Sequence, residues 1–156
     1  MALISKQAVS SLDAFAHVVQ LAIAPVFLLT AVGTLLMVLT SRLGRAVDRR
    51  RVLERQLEEG AAGAAAARAT TELGIIARRV ALIYRAIVLA VFGALFICLL
   101  IGMAFIDAFL ATNLTRGLGV LFVLAMLALI GALTMFLREI FIAVDTPKQT
   151  AGVRDP

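Results

Sequence analysis

The sequence predicts an all-α integral membrane fold with three transmembrane helices, the first two extended into a cytoplasmic helical hairpin, assembled as a homo-oligomer. Three observations predict it. Residues 21–40, 86–106 and 118–137 are apolar blocks of about twenty residues, the length a helix needs to cross the hydrocarbon of a bilayer. The chain is 62% hydrophobic and 16% charged, whereas a soluble domain carries about 25% charged residues. Of its fifteen Lys and Arg, ten fall between residues 41 and 85, in the gap between the first two blocks.

Taken in order, Ser10-Ser11-Leu12-Asp13 reads as a capping box, with Ser10 as N-cap and Asp13 answering it. A helix is expected to start there. The polar segment 10–22 is read as interfacial, bent by Pro25, which removes a ladder bond and kinks the helix near Leu21. The first crossing helix, 21–40, meets Arg42 and Arg45 without a stop signal. Helical spacing continues to Glu59, with Leu43, Ala46, Leu53 and Leu57 as a narrow apolar seam that Arg50 interrupts. Arg50 with Glu54, Arg55 with Glu59, and Arg45 with Asp48 stand at favourable helical spacings for ion pairs. The Gly- and Ala-rich run 60–70 reads as the bend of a hairpin, its alanines helical or loose, with the return helix starting at Thr71.

The second crossing helix, 86–106, contains no charge and is closed by Asp107. Ala86, Ala90, Ala94, Cys98 and Gly102 recur every fourth residue, a strip of small side chains that lets another helix approach closely. Ala125, Ala128 and Ala132 give the third helix, 118–137, a similar face. Residues 1–146 are read as one membrane domain. Pro147 is expected to end the last helix and leave 147–156 as a disordered tail.

Arginine placement sets the topology. Thirteen Lys and Arg fall on the side of the 41–85 hairpin and the carboxyl terminus, against Lys6 and Arg116 on the other. The positive side of short loops stays in the cytoplasm. The amino terminus is therefore expected outside and the carboxyl terminus inside. Arg42, Arg45, Arg49, Arg50, Arg51, Arg78, Arg79, Arg85 and Arg138 read as anchors to anionic head groups rather than as a nucleic-acid surface, since no aromatic residues interleave with them to stack bases.

Chemistry is sparse. Cys98 is the only cysteine and His17 the only histidine, so neither an intrachain disulfide nor a multi-histidine metal site is available within one subunit. No nucleophile elbow or phosphate loop occurs, and no ionisable group other than a thiol sits in the central turns of the crossing blocks. The expectation is a protein that is not an enzyme and takes no cofactor or metal. Asp13, His17 and Gln20 share one helix face, and around a symmetric oligomer they would stack as polar rings at an outer mouth. Asp107 offers a second ring. The plainer reading is that each marks a water boundary at a helix end.

Ala22-Ile23-Ala24-Pro25-Val26-Phe27-Leu28-Leu29-Thr30, followed by Leu39-Thr40-Ser41-Arg42-Leu43-Gly44-Arg45-Ala46-Val47-Asp48-Arg49, resembles a bacterial membrane family, domain-of-unknown-function family 2721. Glu72-Leu73, Arg78-Arg79 with Leu82-Ile83, and Phe136-Leu137-Arg138-Glu139-Ile140 extend the likeness over residues 15 to 143. The resemblance implies a three-helix protein of the bacterial inner membrane, with no defined catalytic residues. The architecture alone also resembles the last three membrane helices of Orai calcium-channel subunits, without a residue-level motif. Two functions remain open: an oligomer that conducts or binds cations, its first helix near the axis with Thr30 and Thr34; or a non-conducting structural or regulatory protein that docks a partner on its hairpin. The lipid bilayer and further copies of the chain are the expected partners, with cations in the first case and no nucleic acid in either.

Overall fold

The computed structural model describes the backbone of residues 2–60, 62–110 and 115–151, and the side chains of residues 20, 23–60, 62–108 and 115–144. Three helices make up the chain: α1 (Ala2–Glu58), α2 (Ala64–Leu110) and α3 (Thr115–Ala151). Among the described residues all three are long and apolar enough to cross a membrane. Their outer surfaces carry large apolar side chains, including Phe27, Met37, Phe92, Leu95, Phe122, Leu127, Ile130 and Phe141, all exposed. Water would penalise such a surface and lipid would not, so this is a multi-pass membrane protein.

Several boundaries differ from those the sequence suggests. The first helix starts at Ala2 rather than at Ser10, because residues 2–9 contain neither Gly nor Pro and nothing halts the ladder. It passes through Pro25 and continues to Glu58, 57 residues in all, a rod of about 85 Å at 1.5 Å per residue. The return helix begins at Ala64, so the alanine run is helical and Thr71 lies well inside it. The reversal is tight. Gly60 and Gly63 flank it at φ of 93° and 62°, a backbone region that side chains with a Cβ rarely enter. At the far end α3 runs past Pro147 to Ala151 instead of stopping there. A proline removes one ladder bond, yet its fixed φ is itself helical. Residues 152–156 of the expected tail lie outside the described residues.

Helix α2 is the shared partner of the other two, packing along α1 on one side and α3 on the other. Buried positions recur every seven residues on each helix. They are Val32, Leu39, Ala46 and Leu53 on α1, then Ala69, Ile76, Ile83, Ala90 and Ile97 on α2, and Ala125, Ala132 and Glu139 on α3. A seven-residue repeat is the seam of a left-handed helical bundle, where 3.5 residues per turn keep one stripe facing the partner. The α1–α2 hairpin is in antiparallel register along this seam. Leu53 and Ala46 cluster with Ala69 and Ile76, Leu39 clusters with Ile83 and Ala86, and Val32 clusters with Ala90 and Ile97. Each step of seven down α1 is answered by a step of seven back along α2.

At Gly93, which is buried, α2 packs against α3 with no room for a side chain. A Cβ there would stand 2.8 Å from Leu129 Cδ2 and 3.6 Å from the Ala125 carbonyl oxygen. Absence of a side chain on α2 is what seats Leu129 against it, the packing device of membrane helix pairs.

Candidate functional site: a buried charge joint and the arginine cleft beside it

Where the apolar blocks give way to the arginine-rich segment, the seven-residue seam changes character. On α3 the next buried position after Ala125 and Ala132 is Glu139, whose exposure is 0%. Burying a carboxylate there without hydrogen-bond partners would be costly. Two arginines meet it, one from each of the other helices. Arg79 on α2 donates from Nη2 at 2.8 Å and from Nε at 3.1 Å to Oε1. Arg42 on α1 donates from Nη1 to Oε2. Both guanidiniums are mostly covered. The Arg42 guanidinium also lies 5.3 Å from the centre of the Phe136 ring on α3, within range of a cation–π contact. One carboxylate therefore ties all three helices at a single level, and it bridges α1 to α3, which otherwise share α2 as their partner.

The register explains how these residues come together. Arg42 follows Leu39 by three positions and Arg79 follows Ile76 by three, so both occupy the second core position of their heptads. One heptad further along the hairpin, Arg49 faces Glu72. Arg49 donates from Nε at 2.7 Å to Oε1 and from Nη2 at 3.0 Å to Oε2, a two-pronged pair. These hydrogen bonds and the adjacent negative charge raise the pKa of the Arg49 guanidinium above its already high ordinary value. Between the two layers lies a cleft of about 290 Å³ lined by Arg42, Arg45, Arg49, Glu72 and Arg79, with Ala46, Ile75 and Ile76 supplying its apolar wall.

The residues singled out by sequence are placed as follows. Arg42 and Arg79, both half-buried, are ion-pair partners of Glu139. The seam brings both guanidiniums inward to Glu139. Arg45, Arg49, Arg50, Arg51, Arg78, Arg85 and Arg138 are exposed. Arg50 pairs with Glu54 as its spacing suggests. Among the described residues, Arg45 with Asp48 and Arg55 with Glu59 form no ion pair. Glu59 lies one residue past the end of α1 at Glu58, although its amide still donates to the Arg55 carbonyl at 2.9 Å. In the small-residue strip Ala86 and Ala90 are fully buried, Ala94 is half-buried, and Cys98 and Gly102 are exposed. A four-residue step advances about 40° past a full turn, so a strip of four steps winds about 160° around the helix and leaves the seam. Ala132 is buried and Ala128 half-buried on α3.

Gln20 is exposed on α1, whereas the side chains of Asp13 and His17 lie outside the described residues. Asp107 is half-buried near the end of α2 and has an interaction partner. The hydroxyls of Thr30 and Thr34 donate to the carbonyls of Val26 and Thr30, one turn back on the same helix. Among the described residues no group of three or more His, Cys, Asp or Glu is placed to hold a metal ion. Sequence reasoning missed Glu139. The signal for it was the seven-residue step from Ala125 through Ala132, which lands on a carboxylate directly after Arg138.

No curated protein and no solved structure matches this chain. A family model described as "Protein of unknown function (DUF2721)" matches residues 22–148. That range contains all three helices' apolar blocks, the charge joint and the arginine cleft, and the chain accordingly belongs to the DUF2721 family of proteins of unknown function.

Proposed function

We propose that this chain is a non-enzymatic structural or regulatory membrane protein whose working part is the basic helical arm of residues 41–85, held on the cytoplasmic side to dock an acidic protein surface. The observation that carries this reading is the Arg42–Glu139–Arg79 joint, which fixes the root of the arm to the third helix. A packed seam with its own apolar cluster, Ala46, Leu53, Ala69 and Ile76, runs along the arm beyond the joint. The arm's outer faces carry Arg50, Arg51, Arg55, Arg68, Arg78 and Arg85, all exposed, with exposed Val52 among them. Complementary charge steers and orients such docking more than it strengthens it.

A photo-cross-linker at Val52, introduced in intact cells, is expected to give one discrete adduct with an acidic protein. Charge reversal at Arg51 and Arg55 should abolish it. The reading is overturned if no adduct forms and the purified protein passes cations across liposomes. The second outcome would favour a conducting oligomer with Asp13, His17, Gln20 and Asp107 lining its path. That alternative draws less support, because the exposed threonines of α1 spend their hydroxyl hydrogens on their own helix.

A further inference from the structure

We propose that the cleft between α1 and α2 beside the charge joint is a binding site for the phosphate of an anionic phospholipid head group. The inference goes beyond the docking role of the arm and does not depend on it.

Four guanidiniums line the cleft, from Arg42, Arg45, Arg49 and Arg79, against one lining carboxylate, Glu72. Glu139 adds a second negative charge from beneath. Four positive charges against two negative leave the site with an excess of two. The charge is also poorly distributed for a merely self-satisfied network. Arg42 and Arg79 share one carboxylate, Arg49 has Glu72 to itself, and Arg45 forms no ion pair among the described residues.

Donor capacity points the same way. A guanidinium has five N–H donors. Arg49 commits Nε and Nη2 to Glu72, and Arg79 commits Nε and Nη2 to Glu139, which leaves the Nη1 group of each uncommitted among the described residues. These groups belong to one cleft, and arginine forks suit the oxygens of a phosphate. A cavity of about 290 Å³ sits at the small end of the range for ligand clefts, about 300–1,000 Å³. It suits a head group better than a larger metabolite.

Depth selects the lipid source over a free anion. Arg42 stands two residues beyond Thr40, the end of the first apolar block, and Arg79 stands seven before Ala86, the start of the second. The cleft is thus at the level where phospholipid phosphates lie, and exposed Tyr84 stands on α2 between the cleft and the second apolar block. Basic pockets between membrane helices at this level are a recognised way to hold anionic head groups.

Arg45→Gln tests the site, since Arg45 has no ion pair to break among the described residues and its loss should leave the fold intact. Arg51→Gln is the control, removing the same charge from an exposed position outside the cleft. The full-length protein in neutral detergent would be titrated with short-chain phosphatidylglycerol, with phosphatidylcholine and inorganic phosphate as separate arms. Arg45→Gln is expected to weaken phosphatidylglycerol binding about tenfold, the loss of one charge-assisted hydrogen bond, with Arg51→Gln near the parent value. Equal losses in both variants would reduce the effect to net charge and overturn the site. Binding of phosphatidylcholine as tight as phosphatidylglycerol would overturn its anion selectivity. Inorganic phosphate binding as tightly as the lipid would overturn the lipid assignment in favour of a soluble anion.

Discussion

At the scale of single residues, Glu139 decides most. Its carboxylate is sealed from solvent and accepts from two helices at once. Removing one partner of such a cluster strands the remaining charges, whereas replacing the whole cluster with apolar residues of similar size removes the problem altogether. Glu139→Ala is therefore expected to destabilise the folded protein by about 3 kcal/mol, measured by the midpoint of unfolding in detergent followed by circular dichroism. The triple variant Arg42→Met, Arg79→Met, Glu139→Leu should be less destabilised than Glu139→Ala alone. Arg79→Lys is expected to fall between, because an ammonium is a point charge and lacks the Nε and Nη2 prongs that Arg79 uses. This joint was only half legible in the sequence. Arg42 and Arg79 stood out as charges behind apolar blocks, but nothing local distinguishes an arginine facing lipid phosphates from one facing a carboxylate 60 or 97 residues away. Arg138 and Glu139 are neighbours of opposite fate, one exposed and one buried, and only the phase of the seam separates them.

At the scale of helices, the crossing segments were legible because length and apolarity state them directly, and the boundaries were not. Nothing between Ala2 and Glu58 halts α1 except Pro25, and one lost ladder bond does not end a helix held by its neighbours. The small-residue strip on α2 lies in the seam of one subunit at Ala86 and Ala90 and leaves it at Cys98 and Gly102. Repetition of small residues at every fourth position is easy to see in a sequence, but it winds away from a seam that repeats every seventh. Gly93, outside that strip, is where α2 leaves no room for a side chain against Leu129. Gly93→Val should force Leu129 aside, at a cost of about 1–3 kcal/mol, and loosen α2 from α3. Gly102→Ala meets nothing within 4 Å in the subunit and should be close to neutral in the same unfolding measurement. A strong effect at Gly102 would instead reveal a second copy of the chain packed there. In the turn, Gly60→Ala and Gly63→Ala place a Cβ at positive φ. Each should cost about 1 kcal/mol and raise the protease sensitivity of the hairpin.

At the scale of the whole molecule, the three-helix membrane architecture followed from the apolar blocks, and the exposed apolar belt of the structure agrees with it. Topology rests on arginine placement. A single cysteine at position 68, in a Cys98→Ser background, is expected to react with a membrane-impermeant maleimide only after the cytoplasmic face is opened. Labelling of intact cells would reverse the orientation and remove the arm from the compartment in which its partner is sought. The charge joint stayed largely illegible because it depends on how the helices are joined, and joints appear only when residues far apart in the chain are brought to one level.

The seven-for-seven register of α1 and α2 has a further consequence: the projection is built in interchangeable increments. Excising residues 47–53 together with 69–75 would rejoin both strands of the hairpin in phase, shorten it by about 10 Å and leave the Arg42–Glu139–Arg79 triad whole. Excising either stretch alone would throw the two strands out of step from that point to the tip. Reach can thus be changed over evolution or by design in matched quanta, while the anchorage in the bilayer stays as it is.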